Sequence, residues 1–231
     1  MTDDRGGRVR PDPLTRQALR SYADLGSRGR IHTWARAVSC PFDQVEALVP
    51  RSGDILDLGC GHGLFSIILG LGSPDRRVHG VDIDADKVAI GRRAVADAGL
   101  DDRVSLEVVG PDWRPSRQYA GVACNDVLYL LGRERAQDLL TAVAASLAPG
   151  AVAVIKEVGE TPSWKHTVNE LQERLATRVL RYTAGDHLEV LAIADIEAPF
   201  DAAGLRVRQV PMDAGYLHAH VAVVAERPTS V

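Results

Sequence analysis

The stretch of sequence that most constrains the fold is residues 54–63, which read D-I-L-D-L-G-C-G-H-G. Its first half is a short apolar run, which is typical of a strand buried on both faces of a sheet. Its second half alternates glycine with other residues, and residues 64–69 then have the apolar content of a buried helix. A strand, a glycine turn and a helix in this order form the position at which α/β proteins bind nucleotide-like ligands. A tight turn that binds no ligand is the plain alternative.

The second informative feature is Asp82, which ends the apolar run of residues 78–81. It follows the glycines by about twenty residues, at the expected tip of the next strand, where a carboxylate can accept hydrogen bonds from both hydroxyls of a ribose. Asp57 stands just before the glycines, and Leu64 occupies the place of the third glycine of the dinucleotide fingerprint. These features favour a nucleoside ligand and leave a dinucleotide-binding oxidoreductase as the alternative.

Together, D-L-G-C-G-H-G at residues 57–63 and G-V-D at residues 80–82 resemble the cofactor signature of class I S-adenosylmethionine-dependent methyltransferases of the small-molecule type. The resemblance covers residues 54–227. It implies an α/β fold with a Rossmann-like, seven-stranded, mostly parallel sheet, an antiparallel last strand, helices on both faces and an N-terminal helical lid. The implied cofactor is S-adenosylmethionine, with S-adenosylhomocysteine as its product.

The same resemblance implies two domains and a set of cofactor-binding residues. Residues 1–50 are expected to form a tail and a helical lid, and residues 51–231 the methyltransferase domain, with an insertion at residues 160–191. In similar enzymes an acid after the third strand binds the adenine amino group and the next residue lies against the ring, although an ordinary turn acid is the alternative here. The residues implied to bind the cofactor are Asp57, Gly59, Cys60, Gly61, Gly63, Asp82, Ile83, Asp112, Trp113, Asn125 and Asp126.

Local patterns predict the elements around the glycine turn. Asp84 is a predicted N-cap for a helix over residues 84–98, and a second amphipathic helix is predicted over residues 133–147. Apolar or capped segments predict further helices at residues 14–25, 42–48 and 195–203, and further strands at residues 104–109, 119–126, 151–155, 206–210 and 217–226.

The sequence indicates less about the acceptor of the methyl group than about its donor. The tip of the predicted fourth strand reads N-D-V-L-Y, and it lacks both the Asn-Pro-Pro-aromatic tetrapeptide and the Pro-Cys pair of methyltransferases that act on exocyclic amines or cytosine carbon. The net charge of −4 gives no bulk positive field to attract nucleic acid. A small-molecule partner is therefore expected rather than a nucleic acid.

Three residues are candidates for acceptor chemistry. His218 and His220 are on one face of the predicted last strand, which starts at the active edge of the sheet, and His218 is the first choice for a general base. Tyr129 follows the fourth-strand tip; ordinary packing is the alternative for all three residues. The predicted pocket walls are residues 22–34, Tyr129, the loop at residues 164–166 and residues 216–220. No third ligand accompanies the histidine pair, so no metal site is expected.

Methyl transfer from a sulfonium is an in-line displacement for which the protein supplies alignment and excludes water. The leading interpretation is transfer to a small biosynthetic molecule, with oxygen or nitrogen favoured over carbon as the acceptor atom. One alternative is a macromolecular acceptor, RNA or protein. The other is a protein that binds S-adenosylmethionine without methyl transfer, as a regulatory subunit or a cyclase-like enzyme.

The 231 residues fit one α/β domain with a modest extension. No apolar run has the length of a membrane span, and the charged N-terminus lacks an apolar signal core. Three cysteines without paired spacing indicate a reducing compartment, so a cytoplasmic location is expected. The oligomeric state is left open, with a homodimer as one option.

Overall fold

A computed structural model describes residues 10–24, 27–158, 191–212 and 220–229 of the protein. The strands within these ranges are β1 (Gly53–Leu58), β2 (Arg76–Asp82), β3 (Val104–Val108), β4 (Tyr119–Asn125), β5 (Leu147–Val158), β6 (Arg206–Pro211) and β7 (His220–Glu226). They form a seven-stranded sheet in the order β3-β2-β1-β4-β5-β7-β6.

The pairing of the strands confirms the predicted sheet. β1 pairs in parallel with β2 and β4, while β2 pairs in parallel with β3 and β4 with β5. β7 runs antiparallel to both of its neighbours, β5 and β6. The carboxyl ends of β1, β2, β4 and β5 therefore meet at one edge of the sheet, where open α/β sheets bind ligands.

The described helices are α1 (Pro13–Arg20), α2 (Ser27–Ser39), α3 (Phe42–Leu48), α4 (Leu64–Gly72), α5 (Ala85–Asp97), α6 (Arg133–Ser146) and α7 (Ile193–Ala202), with a short 3-10 turn at Leu128–Leu130. Asp84 caps α5 as predicted, because its Oδ1 accepts hydrogen bonds from the backbone N–H groups of Asp86 and Lys87, at 3.1 Å each. Among the described helices none is long and apolar enough to cross a membrane.

The helix α2 is the main element that sequence patterns did not predict. Its buried face carries Thr33 and Ala37, with Cys40 directly after the helix. These positions have helical spacing, but the side chains are small or weakly apolar, so the hydrophobic period that reveals a helix is faint. The helix α1 also ends at Arg20, before the predicted residue 25.

Helices cover both faces of the sheet, as predicted. One core lies beneath α1, α3, α4 and α5 and includes Phe42, Ile67 and Val88. The other lies beneath α6 and α7 and includes Leu140 and Phe200. The predicted insertion over residues 160–191 lies, except for its last residue, outside the described residues.

A buried arginine ties the first core to the start of β2. The side chain of Arg76 is fully buried, and its Nη1 donates to Glu46 Oε1 at 2.5 Å. The same guanidinium donates to the backbone carbonyls of Pro50 at 2.7 Å, Val49 at 2.9 Å and Leu69 at 3.1 Å. Arg76 thereby holds α3, the entry to β1 and the end of α4 together behind the glycine turn.

Candidate functional site

A cavity of about 240 Å³ lies at the carboxyl edge of β1, β2 and β4. Its wall is formed by the glycine turn after β1, the tips of β2 and β4, the segment after β3, the turn after β4 and the inner face of α2. Apolar side chains dominate the wall, and a few polar groups converge on it, which is the usual make-up of a small-molecule site. The fold thus places the cavity at the predicted edge.

The glycine turn approaches the cavity with its backbone. The N–H groups of Gly59 and Cys60 both donate to the carbonyl of Val81, at 2.9 and 3.0 Å, which fixes the turn against β2. Gly61 has a φ of +54°, and a Cβ added there would be 3.9 Å from its nearest neighbour, the Lys87 side chain. A Cβ at Gly59 would instead lie 2.3 Å from a methyl group of Val127. Gly61 therefore leaves open room beside the turn, whereas Gly59 permits close packing.

Asp82 closes the glycine turn from the tip of β2. Its Oδ2 accepts a hydrogen bond from the Gly61 N–H at 2.8 Å, and its Oδ1 accepts one from the Asp84 N–H at 2.8 Å. Each carboxylate oxygen has a further lone pair beyond these bonds. The carboxylate is held rigidly on the cavity wall and retains acceptor capacity for two more donors, such as a pair of neighbouring hydroxyls.

Asp57 is a buried carboxyl at the base of the glycine turn. It is 2 % exposed, and its Oδ2 accepts a hydrogen bond from the Ser66 hydroxyl at 2.5 Å. Burial raises the pKa of Asp57 to about 7, opposed by the Ser66 hydrogen bond and assisted by the charge of Asp82. The carboxyl therefore changes charge near neutral pH, next to the cavity.

Asn125 ends β4 with its side chain buried on the cavity wall. It is 7 % exposed, and neither its Oδ1 nor its Nδ2 has a hydrogen-bond partner among the residues that the structure describes. Buried amide groups are nearly always hydrogen-bonded, because an unmet one costs free energy. The Asn125 amide is accordingly suited to bind a ligand.

Asp126 is the centre of a buried ion cluster. Its Oδ2 lies 2.7 Å from Arg36 Nη1, and its Oδ1 lies 2.7 Å from Lys156 Nζ. Burial alone would raise the pKa of Asp126, but Lys156 and Arg36 together hold it well below its usual value. The residue has a φ of +56°, which is uncommon outside glycine. We call Arg36, Asp126 and Lys156 the ion cluster.

The turn that carries Tyr129 rests on Glu157. The Oε1 of Glu157 accepts hydrogen bonds from the N–H groups of Val127 at 3.1 Å and Leu128 at 3.0 Å. Burial and then the charge of Asp126 raise the pKa of Glu157 to about 7. Burial and the same charge raise the pKa of Tyr129, so its phenol is protonated at neutral pH and has a proton to donate.

The N-terminal segment contacts the cavity at three points. The Tyr22 hydroxyl donates to the carbonyl of His62 in the glycine turn at 2.7 Å. The rings of His32 and His62 lie 4.7 Å apart between centroids, and Arg36 joins the ion cluster. Trp34, expected to share in these contacts, is 60 % exposed and is not on the cavity wall. The lid function itself stays a prediction.

The structure brings most of the predicted cofactor residues together. Those on the cavity wall are Asp57, Gly59, Cys60, Gly61, Asp82, Ile83, Trp113, Asn125 and Asp126, and the catalytic candidate Tyr129 is there too. Gly63 and the exposed Asp112 are not on the wall. A Cβ at Gly63 would lie 2.6 Å from Leu106, so this glycine serves packing.

Of the two histidine candidates, the structure describes only His220. His220 is buried in β7, opposite Val158 of β5, and is not on the cavity wall. His218 lies outside the described residues, as do residues 164–166 and 216–219 of the predicted pocket walls.

Sequence reasoning missed Arg36, because it lies on the helix that the hydrophobic period did not reveal. Lys156 and Glu157 did carry a signal, since a charged pair directly follows the buried strand core at the active edge.

Solved structures of similar fold include proteins whose names describe different reactions. An O-methyltransferase family protein from Burkholderia thailandensis has a TM-score of 0.68 and 17% identity, covering 92% of this chain and 63% of that one. The cyclase SpnF has a TM-score of 0.64 and 14% identity over 85% of this chain and 84% of its own.

A third similar structure is a complex with S-adenosyl-L-homocysteine. Geranyl diphosphate C-methyltransferase from Streptomyces coelicolor A3(2), which also holds Mg²⁺ and geranyl diphosphate, has a TM-score of 0.64 and 14% identity over 94% of this chain and 98% of its own. At these identities the likeness shows the fold, and the chain spans only 63% of the Burkholderia protein.

No curated protein matched the sequence. A family model described as a methyltransferase domain matches residues 31–210. The matched range contains the glycine turn, Asp82, the ion cluster and strands β1 to β5. The chain therefore belongs to the methyltransferase-domain family, among the class I enzymes that depend on S-adenosylmethionine.

Proposed function

We propose that the protein transfers the methyl group of S-adenosylmethionine to an oxygen or nitrogen atom of a small molecule. The observation that carries the proposal is a cavity whose wall contains the glycine turn, Asp82 and the buried amide of Asn125, together with Arg36 and Asp126 of the ion cluster. S-adenosylmethionine supplies an activated methyl group on a sulfonium. The protein contributes alignment and the exclusion of water.

The described residues fit this cofactor. Asp82 would accept hydrogen bonds from the ribose hydroxyls, and Ile83 and Trp113 would pack against the base. The side-chain amide of Asn125 would hydrogen-bond to the cofactor. The backbone of the turn at Gly61 would lie along the methionine part of S-adenosylmethionine. All of these residues share one wall, and the Asn125 amide needs a partner.

Asp82→Ala is expected to weaken binding of S-adenosylhomocysteine by roughly 1–3 kcal/mol, because it removes charge-assisted hydrogen bonds to the ribose. This corresponds to a loss of about 5- to 150-fold in affinity, measured by calorimetry. Asp97→Ala, which removes an exposed acid at the end of α5, is the matched control. An Asp82→Ala protein that is folded and binds normally would remove Asp82 from the site.

Affinity for S-adenosylmethionine should also depend on pH through Asp57. Below pH 7 the Asp57 carboxyl is neutral, and above pH 7 it is ionised and attracts the sulfonium charge. S-adenosylhomocysteine has a neutral sulfur and does not gain from this charge. We therefore expect the affinity for S-adenosylmethionine, divided by the affinity for S-adenosylhomocysteine, to fall by up to about tenfold from pH 8 to pH 6. Asp57→Asn should make the ratio independent of pH across this range; a persistent slope would assign the effect to another group.

A heteroatom acceptor is favoured by the groups beside the ion cluster. Asp126 is held ionised by two cations and Tyr129 is held protonated, so both are poor general bases. Transfer to carbon requires removal of a proton from carbon, whereas an oxygen or nitrogen lone pair attacks directly. Beside the ion cluster, the side chains therefore support orientation of such an acceptor more than they support proton abstraction.

A small acceptor is favoured by the size of the cavity, which is about 240 Å³. Helix α2 contacts the glycine turn through His32 and the β4 tip through Arg36, and so forms part of the cavity wall. Small substrates are also found in the similar fold that binds geranyl diphosphate. We include residues 1–50 in the proposal as the lid over this cavity.

The test is a screen for release of S-adenosylhomocysteine with S-adenosylmethionine and a panel of phenols, carboxylic acids and amines. Product formation with one of them, and its mass increase by one methyl group, supports the proposal. Tight cofactor binding without release for any acceptor class would favour a regulatory or cyclase-like protein, the second possibility that the cyclase of similar fold keeps open.

A further inference from the structure

The ion cluster contains more positive than negative charge. Arg36 and Lys156 both pair with the single carboxylate of Asp126, and no other carboxylate among the residues that the structure describes forms an ion pair with either. Glu157 follows Lys156 directly in the chain, and its Oε1 accepts hydrogen bonds from two backbone N–H groups. Because Lys156 is fully buried, solvent screens this excess charge poorly.

Arg36 is the cation of the cluster that lies on the cavity wall, where it stands beside Asp126. Its side chain is 28 % exposed, and it lies on the cavity wall with its guanidinium 5.7 Å from the centre of the Phe42 ring. A guanidinium has five N–H donors. Arg36 uses Nη1 on Asp126 and Nη2 on the carbonyl of Asn125, so further donors remain for a ligand.

The end of the cavity that the glycine turn and the tip of β2 form is acidic. Asp57 and Asp82 lie there, and Asp84 is paired with Lys87 at 3.4 Å. That end suits the cationic sulfonium of the donor. The methionine part of the donor has a carboxylate beside its own ammonium group, so its net charge is zero and it does not offset the excess at Arg36.

We propose that the acceptor is an organic acid whose carboxylate or phosphate group binds Arg36, with its apolar body against Phe42 and Leu130. This inference rests on the proposed methyl transfer and names the class of its substrate. Arg36 offers paired N–H donors in the geometry that suits a carboxylate or phosphate, and the ion cluster gains the negative charge that it lacks. The neighbouring wall residues supply the apolar surface for the rest of the molecule.

The experiment uses benzoate and benzamide, which share ring and shape and differ in charge. Each is titrated into protein saturated with S-adenosylhomocysteine and followed by ligand-observed NMR. The wild type is expected to bind benzoate at least about tenfold more tightly than benzamide, which corresponds to ~1.4 kcal/mol. Arg36→Met should lower the affinity for benzoate to that for benzamide and leave the affinity for benzamide unchanged. Arg36→Lys should retain part of the preference for benzoate.

The control is Arg135→Met, which removes an exposed arginine on the same cavity wall. It should preserve the preference for benzoate; if it abolishes the preference instead, the anion binds elsewhere and the proposal is wrong. Equal binding of the two probes, or no binding of either, also overturns it. If Arg36→Met does not fold, Arg36→Gln and Arg36→Lys replace it in the same comparison.

Two further outcomes separate the sources of the anionic group. If Arg36→Met weakens binding of S-adenosylhomocysteine and the preference for benzoate occurs only without cofactor, Arg36 binds the carboxylate of the cofactor and the acceptor assignment is wrong. If wild-type protein binds no S-adenosylhomocysteine, the proposed methyl transfer fails. The probe titrations on cofactor-free protein still decide whether Arg36 binds an anion.

Discussion

Gly61→Val is expected to eliminate binding of S-adenosylhomocysteine and to leave the protein folded. The first carbon of the added side chain meets no protein atom closer than 3.9 Å, and the side chain occupies the room that the turn leaves for the ligand. We expect a loss of more than about 100-fold in affinity, or ~2.7 kcal/mol. Because valine disfavours the left-handed conformation, the change should also lower the free energy of unfolding by about 1–2 kcal/mol.

The matched control for this change is Gly99→Val. Gly99 has a φ of +65° and no atom within 4 Å of an added Cβ, and it lies at the end of α5, away from the cavity. Both variants should lower the melting temperature by similar amounts, because both force valine into a left-handed conformation. Only Gly61→Val should lose binding in calorimetry. Normal binding by Gly61→Val would mean that the turn does not face the ligand.

Arg76→Met is expected to lower the free energy of unfolding by roughly 3–5 kcal/mol, the usual cost of removing one partner of a buried ion pair. The change leaves the Glu46 carboxylate, whose side chain is only 11 % exposed, without its closest cation. It also leaves the carbonyls of Pro50 and Val49 without the donors that they have in the native protein.

Denaturant unfolding of Arg76→Met and Arg77→Met provides the comparison. Arg77 is the next residue on the same strand and is exposed, so its replacement should change stability by less than about 0.5 kcal/mol. Adding Glu46→Met to Arg76→Met should recover part of the loss, because it removes the stranded charge. Equal stabilities of Arg76→Met and Arg77→Met would show that the buried pair contributes little.

The two ends of the cavity explain why its proposed donor side is easier to interpret than its proposed acceptor side. The donor side uses backbone and one carboxylate within a short stretch, from the glycine turn to Asp82, which hydrogen bonds join directly. The acceptor side is assembled from α2, the β4 tip and β5. Its chemistry depends on how many charged side chains come together, and no single segment of the sequence contains all of them.

Local sequence determined much of the fold and of the donor site. The apolar run before Gly59 predicted β1, Asp84 predicted the start of α5, and the spacing of Asp82 from the glycines predicted its place beside the turn. These features depend on residues close in sequence or on strand and helix periods. Their physical causes, such as capping and burial of apolar faces, act within one element or between neighbouring elements.

Only the tertiary structure decided the composition of the proposed acceptor end. The Arg36–Asp126 pair joins residues 90 positions apart, and the Tyr22–His62 hydrogen bond spans 40 positions. Arg36 lies on a helix with a weak apolar stripe, so the sequence of this helix resembles that of a solvent-exposed segment. The sequence determined which charges the chain carries; folding determined that two cations share one buried carboxylate, because that contact exists only when α2 packs over the ends of β4 and β5.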